Sequence, residues 1–200
     1  MLARRIAAGA LVVLAGLATL RSNSEDDLVE VVVAAHDLHP GAPLTADDVR
    51  LEKRSATTVP EGSQASVSAV VGSTLASPTR RGEMLTDVRL LGSRLAESTA
   101  GPGARIVPLH VADGALLDLI RVGDVVDVLA APDAGAAGPP PVSPPPSRVV
   151  ATDAVVILVS PKEKAQASDD DRVVLVALPA RVANTVAGSA LGRMVTLILH

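Results

Sequence analysis

The sequence predicts a mainly β protein with an α+β part, preceded by an N-terminal membrane-anchor helix. Short runs rich in Val, Ile and Leu alternate with Gly, Pro and Asp, as strands joined by turns do. An uncharged apolar run follows two arginines at the N-terminus. Apolar residues make up 48% of the 200 residues but include no Phe, Trp or Tyr. The core is therefore built from small aliphatic side chains, which suit tightly packed sheets.

Shifts in composition divide the chain into four parts. Residues 1–27 form the N-terminal segment, and residues 28–91 form a compact β-rich unit. Residues 92–104 contain three Gly and one Pro, end in "GPGA" and read as a linker. Residues 105–200 form a small α+β unit, which a Pro-rich insertion at 133–147 interrupts.

The N-terminal segment has the charge pattern of a membrane anchor. Arg4 and Arg5 precede the uncharged run 6–20, which Arg21 and the acidic residues 25–27 follow. As a helix this run is about 22 Å long, shorter than a ~30 Å hydrocarbon core. A cleaved signal peptide and a buried N-terminal helix are the alternatives, although small residues suited to cleavage occur only inside the run. The anchor and signal readings both keep the N-terminus cytoplasmic and place residues from about 25 onward outside the cytoplasm.

The first unit contains two closely similar stretches. "GAPLTADDVRL" (41–51) and "GEMLTDVRL" (82–90) share a Gly, a Leu-Thr pair, a carboxylate and Val-Arg-Leu. Thr45 and Asp48 have the spacing of a capping box. "VRLEKR" after them alternates in the manner of an exposed edge strand. We expect two equivalent turn-and-strand corners, of which only the first has a helical turn. Val88 would then begin an edge strand, and Arg50 and Arg89 would point outward as candidates for a partner surface.

The second unit is predicted to have the order β–α–β–β–β–α–β. Valine-rich runs supply its strands, and Asp113 is a plausible cap for a short first helix. Val182, Val186 and Leu191 lie near helical spacing and predict the later helix.

Composition excludes several classes of function. Without cysteine the chain can form no disulfide, thiolate nucleophile or Cys-ligated metal site. A formal net charge of −4 and the lack of aromatic residues argue against nucleic-acid binding.

No constellation of catalytic, metal-binding or cofactor-binding residues emerges. His36 and His39 lie in "HDLH", which we read as a loop rather than a metal site. His110 and His200 have no partner at a recognisable spacing, so a catalytic triad has no support. The scattered carboxylates Asp47, Asp48, Asp87, Asp124 and Asp127 are expected to be structural, at turns and caps. The acidic run 169–171 lacks a calcium-binding pattern. We therefore expect no enzyme activity, no cofactor and no metal.

Two longer stretches carry a family resemblance. "VVVAAHDLHPGAPLTADDVRL" resembles the opening of SAF domains, and "VVGSTLASPTRRGEMLTDVRLL" resembles their closing part. The resemblance covers about 29–91 and implies a β-clip, a fold of long bent hairpins. Antifreeze-like domains of sialic acid synthases, flagellar P-ring chaperones and Flp pilus assembly proteins share this domain.

The remainder of the chain is similar to the CpaB/RcpC group of pilus assembly proteins. The stretches "IVPLHVADGALLDLIRVGDVVDVLAAP", "VVATDAVVIL" and "VVLVALPARVANTVAGSALGRMVTLIL" carry this similarity. It implies a non-enzymatic envelope component of Flp/Tad (type IVb) pilus assembly. The implied partners are the cell membrane and pilus-assembly or secretion proteins, with self-association left open and no nucleic acid or small-molecule substrate.

Two rival functions remain at this stage. The SAF unit could bind carbohydrate or a cell-wall polymer outside the cell, unrelated to pili. It could also be an appendage of a sugar-acid lyase or synthase, but a catalytic barrel of about 250 residues does not fit in the chain.

Overall fold

The computed structural model describes residues 27–130, 147–160, 172–190 and 195–200, together with Gly9 and Val13. Most of the expected anchor 1–27, nearly all of the insertion 133–147 and the acidic run 169–171 lie outside the described residues. Within the described ranges, no helix has the length and hydrophobicity needed to cross a membrane.

The described residues form strands, short helices and 3-10 turns. The strands are β1 (Leu28–Ala34), β2 (Val49–Ser55), β3 (Arg105–His110), β4 (Val125–Ala130), β5 (Arg148–Val159), β6 (Val173–Leu178) and β7 (Val195–Leu199). The α-helices are α1 (Val67–Val70), α2 (Ser93–Ala100) and α3 (Ala180–Ala190). The 3-10 turns are Ala46–Asp48, Ala56–Thr58, Asp87–Arg89 and Gly114–Asp118.

Two antiparallel sheets make the protein mainly β, as the sequence predicts. β1 pairs with β2, and the second sheet has the order β3-β6-β5-β4-β7. The elements from residue 105 onward follow the predicted order, with the short helix present as the 3-10 turn Gly114–Asp118.

The first unit has two equivalent halves around residues 34–49 and 75–90, within which each residue corresponds to the one 41 positions later. Gly41 N–H donates to the carbonyl oxygen of Leu75 at 3.0 Å, and Gly82 N–H donates to that of Ala34 at 2.8 Å. Both glycines have positive φ, 94° and 80°, which glycine adopts without the strain of a side chain. The similar stretches therefore mark a duplicated structural element.

The duplication also corrects one sequence expectation. Both corners contain a helical turn, because Ala46–Asp48 and Asp87–Arg89 are each one turn of 3-10 helix. Val88 therefore lies inside a turn rather than at the start of a strand. The structural equivalent of Val49 is Leu90, which follows the second turn directly and is buried like Val49. The second copy therefore lacks no residue between Gly82 and Leu90, because Gly41 to Val49 spans the same number of positions.

The first unit encloses a core of small aliphatic side chains from both halves. Alternate residues of β1 point to opposite sides, and both sides are covered, so Val31, Val32, Val33 and Ala34 are all buried. The core comprises Val32, Ala34, Leu38, Leu44, Val49, Val70, Leu75, Leu85 and Leu90.

The second unit is a curled five-stranded sheet. A parallel bridge between Val111 and Val195 links the residue after β3 to the first residue of β7. β3 and β7 are the two outer strands of the sheet, so this bridge partly closes it into a barrel. Its interior includes Leu109, Val126 and Val176, and α3 contributes Ala183 and Val186 to the same core.

Helix α2 lies within the stretch 92–104 that composition marks as a linker. It packs on the second sheet, and Leu95 and Ala100 belong to an apolar cluster with buried Ile157 and Ala177. Ala76 of the first unit joins this cluster, where it is 5% exposed. The two units are therefore connected by an apolar contact as well as by the chain.

Candidate functional site

The histidines of the sequence analysis lie at separate places on the surface. His36 and His39 follow β1 in a loop, and His110 is the last residue of β3. His36 Nε2 lies 3.1 Å from Oδ1 of Asp48. Among the described residues, no group of three or more His, Asp or Glu side chains is arranged to hold a metal ion.

Several of the expected structural carboxylates accept hydrogen bonds from backbone amides. Asp48 Oδ2 accepts from Thr45 N–H at 2.7 Å, and this bond is the main reason that the pKa of Asp48 is lowered. Asp113 accepts from Ala115 N–H at 2.9 Å and caps the turn Gly114–Asp118, as predicted. Asp124 Oδ2 accepts from Arg121 N–H at 2.7 Å in the turn before β4. Asp47 is exposed in its turn.

Asp127 lies in β4, where it pairs with His200, which follows β7. His200 Nε2 and Asp127 Oδ1 are 2.9 Å apart, and Asp153 N–H donates to the same oxygen at 3.2 Å. Asp153 has a φ of 57°, in the left-handed region that Asp tolerates better than most residues. The hydrogen bond raises the pKa of His200 and lowers that of Asp127. The pair lies 73 residues apart in sequence, so spacing gave no signal for it.

The outward arginines of the two corners have different surroundings. Arg50 is about half exposed and forms an ion pair of 2.7 Å with Glu52 on the same strand. Arg89 is one-third exposed, contacts the carboxylate of Glu83, and donates to Ser77 Oγ at 3.2 Å. Arg50 therefore remains a candidate for a partner surface, whereas Arg89 is tied to its own unit.

A cleft of about 450 Å³ lies where the first unit meets α2. It is formed by the loop at Glu61 and Gly62, the turn Asp87–Arg89 and one side of α2. Its lining residues are Glu61, Gly62, Asp87, Val88, Arg94, Glu97 and Ser98. No sequence pattern indicated this cleft, because its sides come from three separate segments of the chain.

Gly62 and Asp87, which both line the cleft, are closely packed against each other. Asp87 N–H donates to the carbonyl oxygen of Gly62 at 2.9 Å. A Cβ atom on Gly62 would lie 2.8 Å from Cγ of Asp87, inside the normal contact distance. Gly62 also has a φ of 79°, so this position needs glycine for both space and backbone conformation.

Most of the charged side chains that line the cleft are acidic, and Arg94 is the one basic side chain among its lining residues. Arg94 Nε lies 3.3 Å from Asp87 Oδ2, and its Nη1 lies 3.7 Å from Glu97 Oε2. Arg94 is 69% exposed, so water screens both contacts. With Glu61 the lining carries three carboxylates against one guanidinium, which suits a cationic group better than an anion.

Comparison with known proteins identifies the first unit. Residues 29–91 match the family model of the SAF domain, so this β-rich unit is a SAF domain. The matched range covers both halves of the duplication and ends just before α2.

The chain is also similar to one solved structure. The flagellar protein FlgA from Thermotoga maritima MSB8 is similar to this chain at 30% identity, with a TM-score of 0.31. The similarity covers 32% of this chain and 24% of FlgA, so the chain spans about a quarter of that protein. A search of curated proteins gives no match.

Proposed function

We propose that this chain is a non-enzymatic, membrane-anchored envelope component of Flp/Tad (type IVb) pilus assembly. The observation that carries the proposal is the SAF domain at 29–91, followed by a second β-rich unit. Sequence stretches of the second unit resemble the CpaB/RcpC group, and the two units follow one another in the order of that group. The contacts would be made by the surfaces of the SAF domain and of the second unit.

The arrangement of polar groups supports a role in binding rather than in catalysis. Asp48, Asp113 and Asp124 accept backbone hydrogen bonds at turns, which is a structural use of a carboxylate. The acidic cleft beside α2 is accessible to solvent, since Arg94 in its lining is 69% exposed, and its charges suit a basic side chain of a protein partner.

The N-terminal charge pattern supports an envelope location. Arg4 and Arg5 before the apolar run, with acidic residues after it, favour a cytoplasmic N-terminus. The SAF domain and the second unit would then both lie outside the cytoplasm.

Fractionation of cells that produce the chain tests the location directly. We expect the full-length protein in the membrane fraction, and we expect added protease to cleave it in intact spheroplasts. A variant that lacks residues 1–27 should leave the membrane fraction. Recovery of the full-length protein in the soluble cytosol after gentle lysis would contradict the proposal.

A further inference from the structure

Strand β2 has one edge without a backbone partner. On one side, β2 is paired with β1 along the whole length of β2, from Val49 to Ser55. On the other side, none of Arg50 to Arg54 forms a backbone hydrogen bond or bridge within the part of the chain that the structure describes. An open edge of this kind is a template on which another strand can pair.

The hydrogen bonds of β1 show which groups of β2 face this edge. Val32 donates to Gln64 O at 2.7 Å and accepts from Leu85 N–H at 2.9 Å, so its N–H and C=O point away from β2. Leu51 lies directly opposite Val32. In an antiparallel ladder, both members of such a pair point their backbone groups outward. The N–H and C=O of Leu51 therefore face the open edge.

The same geometry extends to the neighbouring positions of β2. Ala34 donates to Glu83 O at 3.0 Å and accepts from Gly82 N–H at 2.8 Å, so Val49 opposite it also faces the open edge. Hydrogen-bonded and non-hydrogen-bonded pairs alternate along an antiparallel ladder, so the N–H and C=O of Lys53 also face the open edge. Val49, Leu51 and Lys53 thus present a row of three outward backbone positions.

We propose that two copies of this chain pair antiparallel through β2, with a two-fold axis at Leu51. Leu51 of each copy then exchanges its two backbone hydrogen bonds with Leu51 of the other. Val49 pairs in the same way with Lys53 of the second copy. The two small sheets join into one sheet of four strands, β1-β2-β2-β1.

Side-chain charges on β2 complement each other in this register. Arg50 lies opposite Glu52 of the second copy, and Glu52 lies opposite Arg50, on the same face of the sheet. Glu52 already accepts ion pairs from Arg50 and Arg54 in its own chain, at 2.7 and 2.6 Å. A continuous charge network therefore crosses the junction.

The charges also disfavour several neighbouring registers. An axis at Arg50, at Glu52 or at Lys53 would place that residue opposite its own copy, and like charges directly opposite one another are destabilising. An axis at Leu51 instead joins two apolar side chains. Leu51 is 45% exposed in the single chain, so the pairing would bury apolar surface as well. The inference does not depend on the role in pilus assembly.

Sedimentation equilibrium of the purified full-length protein tests the pairing. We expect the wild-type chain to dimerise as its concentration rises toward about 1 mM, a range suited to weak association. Leu51→Lys should weaken the dimer by at least about tenfold, because it places two cations on the axis. Leu28→Lys is the matched control, since Leu28 is equally exposed at 47% but lies on β1. A wild-type chain that stays monomeric, or a dimer that survives Leu51→Lys, would overturn the proposal.

Charge reversal distinguishes this register from any other dimer. Arg50→Glu alone and Glu52→Arg alone each place like charges opposite one another and should be monomeric. An equimolar mixture of the two variants should form a heterodimer, because each variant supplies the charge that the other needs. The double variant Arg50→Glu/Glu52→Arg should dimerise with itself again. Failure of the mixture to dimerise, with both variants folded by circular dichroism, would contradict the assigned register.

Discussion

Leu38 and Thr79 exchange both of their backbone hydrogen bonds, with N···O distances of 2.8 Å and 3.1 Å. They are equivalent residues of the two halves of the SAF domain, so this pair lies on the pseudo-two-fold axis of the domain. Thr79 is 1% exposed and Leu38 is 8% exposed. The axis therefore runs through the interior of the domain, where the two halves depend on each other for burial.

The duplication predicts similar costs for equivalent core truncations. Leu44 and Leu85 hold corresponding places and are 4% and 0% exposed. Leu44→Ala and Leu85→Ala should each lower the free energy of unfolding by about 2–5 kcal/mol, through lost burial and a residual cavity. Urea titration measures both. Leu28→Ala is the control, and it should cost less than about 0.5 kcal/mol because Leu28 is exposed. A large cost at only one of the two equivalent leucines would contradict the shared core.

Gly62 should be far less tolerant of a side chain than Gly103. Both have positive φ, 79° and 72°, but no atom lies within 4 Å of a Cβ on Gly103. Gly103→Ala should cost about 1 kcal/mol for its backbone conformation alone. Gly62→Ala carries the same strain and must also displace Asp87, so its cost should be clearly larger in thermal unfolding. When Asp87 is also replaced by Ala, the difference in cost between Gly62→Ala and Gly103→Ala should shrink. An unchanged difference would contradict the contact between Gly62 and Asp87.

The contact between His200 and Asp127 should make stability depend on pH. The pKa of His200 is higher in the folded protein than in the unfolded chain, where it is about 6.5. The stability that His200 contributes to folding is therefore fully present below about pH 6.5. It is lost as the pH rises through the pKa of the folded protein. The pKa of Asp127 is lowered in the folded protein from its ordinary value of 3.8. The stability that Asp127 contributes to folding is therefore lost only as the pH falls below about 3.8. Stabilisation by the pair should therefore be greatest between about pH 4 and 6.5.

Comparison with a His200→Gln variant measures this pH dependence. The variant should unfold more readily than the wild type at about pH 5.5, and the difference should shrink by about pH 8.5. An NMR titration of the His200 ring should give a pKa above about 6.5. A difference in stability that grows at high pH would refute the pairing.

Arg172 should stabilise the second unit through its side chain. It is 8% exposed, and its Nη1 lies 2.7 Å from Asp118 Oδ1 and 3.3 Å from Gly114 O. These bonds join the start of β6 to the turn Gly114–Asp118. Arg172→Met should lower the free energy of unfolding by about 1–3 kcal/mol in urea titration. Arg105→Met at an exposed site is the control, and equal effects of the two changes would contradict the account.

Local features of the fold could be predicted because their signals are local. Asp113 before "GALLD" carries the signature of a cap, and the structure confirms its bond to Ala115. "VRLE" alternates apolar and charged residues at the start of "VRLEKR", and this stretch forms β2 with an open edge. The first helix of the second unit proved to be a 3-10 turn, a distinction that apolar spacing over five residues does not make.

Features that depend on distant residues could not be predicted. His200 and Asp127 meet only because β7 pairs with β4. Identity of "Val-Arg-Leu" in the two similar stretches suggested the wrong alignment, since burial and hydrogen bonding align Leu90 with Val49. Helix α2 was hidden because Gly92 and Gly101, which flank it, gave the stretch the composition of a linker.

Deletion of the gene, followed by counting of surface pili by electron microscopy, tests the proposed function most directly. The account predicts loss of Flp-type pili, with recovery when the full-length chain is supplied from a plasmid. A plasmid copy that lacks residues 29–91 should not restore pili, although it should still reach the membrane. Normal numbers of pili in the deletion strain would contradict the pilus assignment.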